Sequence, residues 1–197
     1  MWKTVNTTVL RAVRINEGMP MPIMRAETST LLLIDFQAKL MPAIDHATAT
    51  LANARRLLDA AGLVGAPVLF TEQNPKGLGP TVAELAPDPS AVLPKMTFGA
   101  VGAPDFFERL APGRDAVVGG WEAHVCVLQT VLALIEAGRR VFVVSDAVGS
   151  RRPESKEIAL QRMARSGAEI VTMEMVVFEW LQTAGHPRFK EAIALIK

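Results

Sequence analysis

The sequence holds one cysteine, Cys126, and three histidines, His46, His124 and His186, in 197 residues. A single thiol cannot close an intrachain disulfide, so nothing points to an oxidising compartment, and the expected location is the cytoplasm. The histidines are too dispersed for a zinc site, and no metal is expected. Net charge is equally scarce. Basic side chains number 21 and acidic ones 20, leaving +1 at pH 7, which provides no field for nucleic acid or an anionic membrane. No apolar run approaches the length of a membrane span. No strand runs into G-x-G-x-x-G, so no dinucleotide cofactor is expected. Repeats, low-complexity tracts and dividing linkers are also missing.

What is there is a chain of one-domain size with 50% hydrophobic residues, enough for one sheet covered on both faces by helices. Residues 1–27 read as an N-terminal arm and residues 28–197 as a single domain. The arm is basic, hydroxylated and free of acids up to Ile15, which leaves three readings: weak organelle targeting, an oligomer contact, or a true start at Met19, Met21 or Met24. Beyond it, apolar runs alternate with helical spacing. Strands are expected at 30–34, 67–71, 91–95, 116–118, 140–146 and 168–173. Helices are expected at 51–61, closed by Gly62, and at 103–110, 125–135, 153–166, 175–184 and 188–196. This is an α/β protein with a parallel sheet. The helix from Met175 carries Val176, Val177, Phe178, Trp180 and Leu181, more apolar residues than one buried face needs. That excess fits a subunit contact or a deeply packed terminal helix.

Three strand ends carry chemistry. Asp35 follows the first strand as a base or polar anchor, or as a turn and helix-capping carboxylate. Lys95 ends the third as a solvated lysine or a buried cation. Cys126 falls where Gly119 and Gly120 break a strand and a helix follows, a place that suits a thiolate and equally a small core hydrophobe. If the three meet at one sheet edge, the carboxylate can take the thiol proton while the ammonium and the helix N-terminus stabilise the thiolate. Backbone N–H groups leading to Cys126 can then hold an oxyanion. Glu72 and Gln73 lie in a polar loop, 72–80, over the same edge, as ligand contacts or as plain connection. Trp121 reads as an apolar wall, His124 as a structural hydrogen-bonding residue, and Arg151 and Arg152 as a solvated or intersubunit pair, with anion binding as the alternative.

The stretches LLLIDFQ at 31–37, TEQNPKGLGPTVAEL at 71–85, PKMTFGA at 94–100 and GGWEAHVCVLQT at 119–130 resemble the isochorismatase-like cysteine hydrolase family, and within it the isochorismatase domain-containing members. The resemblance runs from about Arg25 to HPRFK near the C-terminus. It implies a three-layer α/β/α Rossmann-like fold with a mainly parallel six-stranded sheet, and a catalytic triad of Asp35, Lys95 and Cys126. It also implies hydrolysis of a small amide or related carbonyl compound through a thioester, without a cofactor. The family's cis peptide would fall between Trp121 and Glu122, placing the N–H groups of Glu122 and Cys126 at the oxyanion. The substrate pocket is expected around Phe36, Glu72, Gln73 and Trp121. Metal-dependent relatives carry an aspartate and two histidines where this chain has Glu72-Gln73-Asn74. The expected partners are a small-molecule substrate and further copies of the chain, with a non-catalytic binding or scaffold homo-oligomer as the rival reading.

Overall fold

The computed structural model describes residues 23–197. In chain order the elements are β1 Ser29–Ile34, α1 Ala47–Val64, β2 Val68–Gln73, α2 Pro75–Leu78, β3 Val92–Lys95, α3 Phe106–Arg109, β4 Asp115–Trp121, α4 Leu128–Glu136, β5 Val141–Gly149, α5 Pro153–Arg165, β6 Glu169–Val171, α6 Met173–Leu181 and α7 Phe189–Ile196. The strands form one sheet in the order β3-β2-β1-β4-β5-β6. Every neighbouring pair runs parallel, so the sheet is wholly rather than mainly parallel. β1 is the reason the centre is stable: all six of its residues are buried, the pattern of a strand covered on both faces. Its side chains alternate between two cores. Leu31 and Leu33 join the layer that includes α1, α6 and α7 residues, and Leu32 and Ile34 join the layer that includes α3, α4 and α5 residues.

From β1 the chain moves outward through β2 to β3, then returns to the other side of β1 as β4 and continues to β6. The crevice between β1 and β4 is therefore the point where strand order reverses, the usual ligand position in an open parallel sheet. Close approach of the two strands there depends on glycine. A Cβ on Gly120 would stand 2.5 Å from the Ile34 carbonyl oxygen and 2.7 Å from its Cβ, so only glycine fits opposite Ile34.

Several boundaries differ from the sequence pattern, each for a tertiary reason. Gly119 and Gly120 do not break the strand, because both pair with β1. Glu72 and Gln73 are not loop residues but the end of β2, held by pairing to Pro94 and Lys95. Gly62 does not close α1. Nothing lies within 4 Å of its Cβ position, and the helix runs on so that Leu63 and Val64 pack on the core, ending at Gly65 with a left-handed φ of 75°. The expected helix at 103–110 is the single turn α3. Part of the expected arm packs on the domain. Met24 and Ala26 are core residues, and the Met24 N–H donates to Glu179 on α6 at 2.7 Å. The rest of the expected arm, residues 1–22, lies outside the described residues. Among the described residues, no helix is long and apolar enough to cross a membrane.

Candidate functional site

At the carboxyl end of β1 the chain turns sharply. Asp35 takes a left-handed φ of 53°, a conformation aspartate tolerates better than most residues, and the Gln37 N–H donates back to the Asp35 carbonyl at 2.7 Å. The turn points the carboxylate into the crevice edge, where it is fully buried. Burial of a charge demands partners. Lys95, at the end of β3, donates from Nζ to Asp35 Oδ2 at 2.7 Å, and Thr71, near the end of β2, donates from Oγ1 to Asp35 Oδ1 at 2.6 Å. Neither the lysine nor the aspartate side chain has solvent exposure. Lys95 completes its shell on the carbonyl oxygens of Phe98, at 2.9 Å, and Thr97, at 3.3 Å.

After β4, the Trp121–Glu122 peptide is cis and the chain enters a wide turn, Ala123–Val127, before α4. Val127 N–H reaches back to the Glu122 carbonyl at 3.2 Å, the longer span of a π-type turn, a form that recurs at functional sites. Cys126 lies in this turn and is buried. Burial pushes its thiol above the ordinary thiol range; the Asp35 charge and a hydrogen bond to Asp35 push the same way, while Lys95 pulls it down. Burial and the neighbouring carboxylate thus favour the neutral thiol. The sequence pattern suggests that Lys95 and a helix N-terminus stabilise a thiolate, but desolvation and the Asp35 charge outweigh the Lys95 charge.

A second loop braces this turn from outside. Arg151, just past β5, donates from Nε to Glu122 Oε2 at 2.9 Å, from Nη2 to Oε1 at 2.7 Å, and from its backbone N–H to Oε2 at 3.1 Å. Hydrogen bonding to Arg151 holds the Glu122 carboxyl below the usual carboxylate range. His124 Nδ1 lies 3.0 Å from Ser150 Oγ, which makes it a structural contact in this arrangement. Thr130 ties the turn to the loop after β3: its hydroxyl donates to the Cys126 carbonyl at 2.7 Å and accepts from the Ala100 N–H at 2.9 Å.

Thus Asp35, Lys95 and Cys126 meet. The residues expected around the pocket are engaged in packing and hydrogen bonds. Phe36 and Trp121 have essentially no exposed surface; their rings pack with centroids 4.7 Å apart, and Trp121 Nε1 donates to Thr50 Oγ1 on α1 at 3.0 Å. Glu72 accepts from the N–H and hydroxyl of Thr81, at 2.7 and 2.8 Å. Gln73 donates to the Met96 carbonyl at 2.9 Å. Residues that the sequence reasoning missed are Thr71, Thr130 and the role of Arg151. Thr71 had a usable signal: it is the polar residue at which an apolar strand turns polar, and it pairs with Ile34, one residue before the acid that ends the neighbouring strand. Among the described residues, no group of three or more His, Cys, Asp or Glu side chains is placed to hold a metal ion.

A three-layer α/β/α sheet with a buried carboxylate, ammonium and thiol at its switch point defines a class of hydrolase-like α/β proteins. The isochorismatase domain model matches residues 29–175, and the chain belongs to that family. It is 36% identical over 192 residues to isochorismatase domain-containing protein 2A of Mus musculus, covering 95% of this chain and 90% of the mouse protein. Among solved structures it is similar to the MAR1 ribonuclease of Caenorhabditis elegans, with a TM-score of 0.85 and 35% identity over 89% of this chain and 92% of the other. It is also similar to the Escherichia coli YcaC product, an octameric hydrolase of unknown specificity, with a TM-score of 0.81 and 28% identity over 91% of this chain and 89% of the other.

Proposed function

We propose that this protein is a cysteine hydrolase that cleaves a small amide or related carbonyl compound through a thioester on Cys126. The observation that carries the reading is the buried, hydrogen-bonded set of Asp35, Lys95 and Cys126, brought from three separate strand ends. Ordinary core cysteines have no such neighbours. Asp35 takes the thiol proton as sulfur bonds to the substrate carbonyl carbon, so the nucleophile is made only when it is used. The oxyanion is held by the N–H groups of Glu122 and Cys126. Asp35 then returns the proton to the departing amine as the C–N bond breaks. Water, giving a proton to Asp35, attacks the thioester, and cleavage of the C–S bond releases the carboxylic acid and restores the thiol. Lys95 balances the carboxylate's charge between these transfers. In this scheme Phe36 and Trp121 form the floor behind the turn, and Glu72 and Gln73 fix the loops beside it. No cofactor or metal is required.

The same reading makes the protein a homo-oligomer of the cytoplasm. Met175 and Phe178 on α6 are 45% and 44% exposed, apolar surface suited to a subunit contact, and the octameric YcaC hydrolase supports assembly. The near-neutral charge disfavours nucleic acid as the substrate despite the ribonuclease relative. The test is intact mass spectrometry of wild-type and Cys126→Ala protein incubated with small amides, hydroxamates and an aldehyde. A Cys126-dependent adduct or turnover is the expected result. No adduct and no turnover across the panel would reject the hydrolase in favour of a non-catalytic binding or scaffold protein.

A further inference from the structure

Thr71 is fully buried where β2 passes from apolar to polar residues, and a buried hydroxyl is costly unless it is partnered. Its partner is Asp35, and the grip is double. The Thr71 carbonyl accepts from the Asp35 N–H at 3.1 Å, and its hydroxyl donates to Asp35 Oδ1 at 2.6 Å. Lys95 holds the other oxygen, Oδ2. With one donor on each oxygen, the plane of the carboxylate is fixed relative to the turn that carries Cys126. We infer that Thr71 is a positioning residue for the Asp35 base: its hydroxyl fixes the plane of the carboxylate, so that the group meets the Cys126 thiol in the orientation that takes its proton.

The inference rests on the cysteine-hydrolase reading and deepens it. Without that hydrogen bond the carboxylate is free to turn about its last side-chain bond, and base-assisted proton transfer should slow by about tenfold. The thiol and carboxylate exchange one proton, so their profile belongs to the pair.

The test uses acrylamide, whose capture by Cys126 calls on the same base. Sulfur bonds to the terminal alkene carbon, the π pair shifts toward the amide, and the thiol proton passes to Asp35 and then to the α-carbon, restoring the carboxylate. Intact mass followed over about pH 4 to 10 should show a plateau around neutrality, where the carboxylate takes the proton, and a rise at higher pH where the thiol ionises unaided. In Thr71→Val the plateau should fall about tenfold with the alkaline rise unmoved, while Thr71→Ser should keep the wild-type plateau. Should the valine variant not fold, Thr71→Ala makes the same comparison. A valine plateau equal to that of the wild type, or one that falls together with the alkaline rise and in the serine variant alike, overturns the inference and leaves Thr71 a packing residue. A wild-type rate that climbs tenfold per pH unit with no plateau overturns the base-assisted mechanism itself, and the two failures are distinguishable.

Discussion

The Asp35–Lys95 pair is the most demanding feature of the structure, because two full charges lie without solvent exposure at 2.7 Å. At an effective dielectric of about 20 their attraction is about 6 kcal/mol, set against a desolvation cost of several kcal/mol for each ion. The pair as a whole therefore contributes little net stability, whereas either charge alone is left expensive. Asp35→Asn strands the ammonium on the carbonyls of Phe98 and Thr97; Lys95→Met leaves the carboxylate with Thr71 and the thiol. Each single change should cost about 3–5 kcal/mol, a fall of roughly 6–20 °C in melting temperature for a chain of this size. The double variant should cost no more than the worse single one, since it removes both charges together. Urea and thermal unfolding of the four proteins measure this directly. Singles within about 1 kcal/mol of wild type, or a double variant equal to the sum of the singles, would refute the claim that the two charges depend on each other.

Three other outcomes follow from the site. The thiolate-driven rise in Cys126 alkylation by iodoacetamide should have its midpoint above about pH 8.5, the ordinary thiol value, and Asp35→Asn should lower it, because both the charge and the hydrogen bond of Asp35 raise it; an unchanged midpoint would mean that burial alone acts. Arg151→Ala should cost about 1–2 kcal/mol at neutral pH, discounted because the guanidinium side chain is 60% exposed. Since Glu122 titrates below its unfolded value in the wild type, the Arg151 contribution is complete above about pH 4.5 and is lost as pH falls through the folded value, so the two unfolding curves should converge in acid. Gly120→Ala should cost about 3 kcal/mol or more, measured by urea unfolding, because the new methyl meets the backbone of Ile34 rather than a mobile side chain; a tolerated alanine would show that β1 and β4 can separate at the crevice.

Much of the architecture was legible because buried parallel strands write continuous apolar runs. Leu31 to Ile34 and Val141 to Val144 could hardly be anything else. The misread boundaries were those where the deciding contact comes from another strand. Glu72 and Gln73 look like loop by composition, yet β3 pairs with them. The two glycines before Trp121 look like a break, yet both pair with β1, and at Gly120 the neighbouring backbone comes too close for a Cβ.

The site divides in the same way. Asp35, Lys95 and Cys126 were each readable as polar or reactive residues at the ends of apolar runs, and local sequence determines that much along with the strand-helix alternation. Whether they meet depends on strand order, and only the tertiary structure decides it: β3 and β4 are separated by β2 and β1 in the sheet, and the distance from Lys95 Nζ to Asp35 Oδ2 is a property of that order. The protonation of Cys126 is likewise a tertiary quantity, since burial and the field of an acid 91 positions away in sequence (126 − 35) set it. Pattern along the chain records what each residue tends to do. Desolvation and charge proximity, which govern what the three do together, exist only once the chain has folded.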